Sequence, residues 1–80
     1  MKVAVYKTHK YENLFLYVNE AEGLTRVPQS LLSKFVDRCL VLNFDLTIGV
    51  SLAKENPEVV LNNIDRMGYH LQLPPVVNVT

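Results

Sequence analysis

The residues of this chain with chemical capacity are few and scattered. His9 sits in a polar, turn-like segment and His70 in an alternating, strand-like run, so the two share no metal-ligand spacing. Cys39 is the single cysteine, which excludes an intramolecular disulfide and a zinc cluster built on cysteines. Its apolar neighbours Leu40, Val41 and Leu42 supply none of the cations that favour a thiolate. Ser30, Ser33 and Ser51 lie in no nucleophile-elbow setting. The three glycines are dispersed, so no phosphate-cradling loop forms. Asp45 closes an apolar run, a position where α/β folds place functional carboxylates, and it serves equally well as a turn residue. No catalytic constellation, metal cluster or cofactor motif emerges, and the chain reads as a non-enzyme.

Binding residues are easier to nominate. Tyr6 and Tyr17 fall on strand-like runs, and Lys7 and Lys10 flank the first turn beside His9. Arg26 stands two residues before Pro28, and Gln72 lies on the last strand. Aromatic platforms flanked by cations stack bases and neutralise phosphates, and Arg26 could join the free N–H groups of a helix start in holding an anion. The same residues also fit a plainer reading. Core tyrosines place their hydroxyls at a sheet rim, turn lysines are solvated, and Arg26 can pair with Glu20 or Glu22. Eight basic and eight acidic residues cancel, so no global field draws the chain to nucleic acid or anionic lipid.

The elements that carry these residues follow from local signals. Val3–Lys7 and Leu14–Val18 are β-rich runs joined by a short polar link, the pattern of an antiparallel hairpin. Pro28 opens a short helix reaching Phe35, with Leu31, Leu32 and Phe35 on its apolar face. Arg38–Asp45 is a third strand whose centre, Cys39–Leu42, is apolar at every position, which predicts cover on both faces. Leu46–Ala53 is a connection. A second helix starts with Asn56 as N-cap, Pro57 and Glu58, carries Val60, Leu61, Ile64 and Met67 on one stripe, and stops at Gly68. Tyr69–Leu73 is a last strand, ended by Pro74 and Pro75, with Tyr69, Leu71 and Leu73 on one side and His70 and Gln72 on the other.

The order is β-β-α-β-α-β, one domain over residues 1–80 with a four-stranded sheet. In the hairpin, Val3, Val5, Leu14, Leu16 and Val18 are assigned to one face and Ala4, Tyr6, Phe15 and Tyr17 to the other. Both sets are apolar, so the sheet needs cover on both sides, as in an α/β/α-type sandwich. Cover by two short helices is incomplete, and Val76, Val77 and Val79 or a partner would supply the rest.

Several of these stretches resemble a known family. Leu16-Tyr17-Val18, Arg26-Val27-Pro28 followed by Leu31-Leu32 and Phe35, Leu52-Ala53, and Gly68-Tyr69-His70-Leu71-Gln72-Leu73-Pro74-Pro75 look like the YcgL domain family of small bacterial proteins. The resemblance spans nearly the whole chain and implies an α/β/α sandwich in the bacterial cytoplasm. It implies no activity, since the family has no established biochemical function. Two departures stand out. Members usually carry a Phe-Gly-x-Pro turn after the first helix, where this chain has Phe35-Val36-Asp37-Arg38. They usually continue into an acidic helical tail beyond the prolines, where this sequence stops at Thr80.

The functional expectation is a small cytoplasmic protein–protein interaction module. Its partner is another protein or a second copy in a weak homodimer, docked through a face carrying Tyr6, Phe15 and Tyr17. The alternative is a weak RNA or single-strand binder acting through the basic N-terminal hairpin. No apolar run is long enough for a membrane span, and none at the N-terminus has signal-peptide form.

Overall fold

The structure is a computed structural model that describes residues 1–50, 52 and 55–74. Four strands, β1 (Lys2–Lys7), β2 (Phe15–Asn19), β3 (Cys39–Asp45) and β4 (Tyr69–Gln72), form one sheet in the order β3-β1-β2-β4. Every neighbouring pair is antiparallel. The first helical segment is a single α-turn, α1 (Gln29–Leu32), continued as a 3-10 turn over Ser33–Phe35. Pro28 stands just before it as the cap. The second helix, α2 (Pro57–Met67), has the predicted N-terminus: Asn56 Oδ1 accepts from Glu58 N–H at 2.9 Å. Gly68 ends it with φ 89° and donates to Ile64 O at 2.8 Å.

The sheet is covered on both faces, as the sandwich reading requires. Val3, Val5, Tyr17, Leu46, Val60 and Ile64 form the core beneath α2. On the opposite face Ala4, Leu14, Leu16, Val18, Val27 and Phe35 pack beneath α1 and its 3-10 turn. These two sets correct the hairpin faces expected from the sequence. Val5 pairs with Tyr17 and Lys7 with Phe15, and directly paired residues share a face. The register therefore sets Val3 and Val5 with Phe15 and Tyr17, while Ala4 and Tyr6 lie with Leu16 and Val18. Alternation within a strand was legible; the phase between two strands depends on the turn and shifts by one face with each residue of slip.

A second correction concerns β3. A strand apolar at every position was expected to be covered on both sides. Instead β3 lies at the sheet edge, and Leu40, Val41 and Leu42 are 49%, 42% and 46% exposed. The helices sit over the other end of the sheet, with α2 packed across β2 and β4. Cover by Val76, Val77 and Val79 concerns residues outside those described, as does the role of Ser51.

Candidate functional site

Tyr17 and Gln72, both nominated as binding residues, meet each other. The Tyr17 hydroxyl donates to Gln72 Oε1 at 2.8 Å, joining β2 to β4 beneath α2. Burial raises the Tyr17 phenol above its ordinary range, and the nearby Glu55 carboxylate adds to the shift. His70 lies edge-on to the same ring, with centroids 5.7 Å apart. It is buried rather than solvent-facing, because β4 turns His70 and Gln72 toward α2 and Tyr69 and Leu71 toward the α1 side. Asn63 Nδ2 and His70 Nδ1 are hydrogen-bonded at 2.9 Å, leaving Nε2 as the ring's other polar atom. That nitrogen points toward Glu55 Oε1 at 3.4 Å without hydrogen-bond geometry, and among the described residues it has no hydrogen-bond partner. The group is a polar seam fastening β4 to β2 and α2.

Arg26 is also engaged within the fold. Its Nη2 donates to Arg66 O at 2.9 Å and its Nη1 to Asp65 O at 3.4 Å, which satisfies carbonyls at the negative end of α2. Nη1 also lies 3.7 Å from Glu22 Oε1. The Arg26 side chain runs over Gly68, where a Cβ would overlap Arg26 Cβ. The arginine before Pro28 and the glycine after α2 therefore form one joint. The helix that follows Pro28 is only four residues long, too short to build an anion site at its start.

Lys7 and Lys10 are exposed at the first turn, and Lys10 Nζ sits 5.7 Å from the Tyr11 ring centroid. An open cleft of about 370 Å³ runs beside them, lined by Lys7, Thr8, His9, Glu12, Asn13 and Phe15. Asp37 holds this turn: its carboxylate accepts from the Thr8 hydroxyl and, at 3.1 Å, from His9 N–H. The Thr8 hydrogen bond leads the causes that hold the Asp37 carboxyl below its usual range. Tyr6 is half-buried on the α1 face. Tyr6, Phe15 and Tyr17 thus do not share one docking face.

A further open surface is the outer edge of β3. Its inner side pairs with β1 from Lys2↔Asp45 to Lys7↔Cys39. Among the described residues no strand pairs its outer side. Cys39 is exposed and unbridged. Two readings of the sequence missed residues that matter here. Leu40, Val41 and Leu42 carry no local mark separating an edge strand from a doubly covered one. Asn63 did leave a signal: it falls with Val60 and Ile64 on the apolar stripe of α2, and a polar residue on such a stripe calls for a buried partner.

The model of the YcgL domain family matches residues 3–75. The chain belongs to the YcgL domain family. It is 40% identical over 72 residues to a YcgL domain-containing protein of Ectopseudomonas mendocina, a match covering 90% of this chain and 74% of that protein. A YcgL domain-containing protein of Pseudomonas aeruginosa is 42% identical over the same length and shares of each chain. One of Pseudomonas fluorescens is 38% identical. The segments that carried the YcgL resemblance are joined in space: Tyr17 to Gln72, and Arg26 to Gly68 and the end of α2. Among the described residues no group of three metal-ligating side chains converges, and no helix is long and apolar enough to cross a membrane.

Proposed function

We propose that this YcgL chain is a bacterial cytoplasmic interaction module without catalytic chemistry of its own, which recruits protein partners by adding a strand to the β3 edge. The observation that carries the reading is Leu40-Val41-Leu42, three consecutive apolar residues each more than two-fifths exposed, on an edge that no strand pairs among the described residues. An edge of this kind offers a row of free N–H and C=O groups, while its side chains supply apolar contacts on alternate faces. The remaining polar chemistry is spent inside the fold: Tyr17, Gln72, His70, Asn63 and Arg26 bond to one another or to backbone. The cationic turn at Lys7 and Lys10 supports a second reading, weak nucleic-acid binding, which salt distinguishes because phosphate contacts weaken steeply with ionic strength.

The test compares the wild-type chain with Leu40→Lys/Leu42→Lys in affinity capture from nuclease-treated bacterial lysate, followed by amide exchange on each purified complex. The reading expects partners that the variant loses and that protect the Leu40–Asn43 amides, at moderate and high salt alike. Partners retained equally by the variant, or protection confined to Lys7–Tyr11 and lost with salt, would overturn it.

A further inference from the structure

The register of β3 identifies an occupant for this edge. Going along β1, Val5 pairs with Leu42 but Tyr6 pairs with Leu40, so Val41 is the extra residue of a bulge. Skipping it, the pairing alternates faces regularly. Leu42 and Phe44 share the α2 face with Val5 and Val3, and Cys39 follows with Lys7. Leu40, Asn43 and Asp45 share the α1 face with Tyr6, Ala4 and Lys2. Arg38 lies just outside the strand, one residue before Cys39, and extending the alternation by one step would set it on the α1 side.

Two copies of one chain joined edge to edge by a two-fold axis normal to the sheet must pair residues of the same face. Of the seven alternating positions from Arg38 to Asp45, Leu42 is the middle one. With the axis on Leu42, each strand runs antiparallel along the full length of the other. Leu42 then faces its own copy, Leu40 faces the partner's Asn43, Cys39 faces the partner's Phe44, and Arg38 faces the partner's Asp45. The bulge is what creates this last match. An unbulged strand centred on Leu42 would set Arg38 opposite Leu46 and Cys39 opposite Asp45. The two charged ends are therefore complementary under the same operation that aligns the apolar centre, and they occur twice per pair.

We infer that β3 is a homotypic edge, through which two copies of this chain form a continuous eight-stranded sheet centred on Leu42. The inference rests on the reading of β3 as the docking edge and names its occupant. Both charges are available for it. Asp45 has a side chain 68% exposed and, among the described residues, meets only the Met1 amine, at 3.2 Å, within its own chain. Arg38 is exposed and donates to Phe35 O at 3.3 Å, one turn back. A balanced overall charge leaves no net repulsion between copies. A single strand pair buries well under the roughly 1,600 Å² of a standard interface, which places the association among weak, transient ones.

Sedimentation equilibrium of the purified chain across a dilution series reads the association directly. Arg38→Asp should weaken it about tenfold, Asp45→Arg should do the same, and the two together should restore it, because the pair is remade with its ends exchanged. In a Cys39→Ser background, Leu42→Cys should oxidise to a disulfide dimer across the axis, while Ile48→Cys, 70% exposed but away from the edge, should not. A chain monomeric up to ~1 mM, charge variants whose effects add instead of cancelling, or cross-linking equal at both cysteine positions would each overturn the inference. A monomer whose lysate partners are still lost on substituting Leu40 and Leu42 would leave the docking edge standing without a second copy on it. Partners insensitive to those substitutions remove the edge itself.

Discussion

The two edges of the sheet are built by opposite means. At β4 a four-residue strand is enclosed by fastenings. Gly68 turns the chain into it, Arg26 crosses that glycine to reach the end of α2, His70 and Gln72 bond inward, and Pro74 follows close behind. At β3 a seven-residue strand has β1 on one side and, among the described residues, no strand on the other. Its one irregularity is the bulge at Val41. Polar side chains secure the first edge, and apolar ones are displayed at the second. In a domain this small, the contrast separates residues kept for stability from residues free to meet something else.

The contrast breaks first at Gly68 if it is wrong. Gly68→Ala should destabilise the chain by about 2–4 kcal/mol, since a left-handed φ and a clash with Arg26 both oppose a Cβ. Thermal unfolding checks it, and an unchanged midpoint would mean the β4 joint is slack. Tyr17→Phe should cost about 1 kcal/mol by removing the bond to Gln72. The phenol adds a pH signature. A folded value raised above the unfolded one means that the stability tied to neutral Tyr17 is complete below the unfolded tyrosine range and is lost as pH rises through it. Phenolate absorbance should therefore show one tyrosine of the four ionising last, and that late step should vanish in Tyr17→Phe. The smallest effect belongs to β3: Leu40→Lys/Leu42→Lys should change stability by less than about 0.5 kcal/mol, because both side chains already stand half in water. A large loss in urea unfolding would show that the β3 edge carries stability after all.

Element order, both faces of cover and both ends of α2 were legible in the sequence. Each is announced locally: Asn56-Pro57-Glu58 caps, Gly68 stops, and Val60 and Ile64 recur at helical spacing. What was not legible depends on residues distant in the chain. The hairpin faces needed the register between β1 and β2. The edge position of β3 needed the strand order, since an apolar run looks the same whether helices reach it or not. Tyr17 and Gln72 were singled out as binding residues, and nothing local could tell that they would bond to each other. Arg26 was read as an anion-binding residue or as a partner of Glu20 or Glu22; it meets Glu22, and its reach to the end of α2 crosses 40 residues of sequence.

Those long spans also order events in time. The central strands β1 and β2 are consecutive in the chain, so the middle of the sheet closes across a short loop with little loss of chain entropy. The Tyr17–Gln72 bond closes a much longer span, 55 residues, at a larger cost in chain entropy. A sheet that assembled from its centre outward would seat β4 last. Weakening the seam at Gln72 or Asn63 then acts chiefly on how fast the native chain opens and little on how fast it folds. In that order of assembly, the lifetime of the folded state would be set at the β4 end of the sheet.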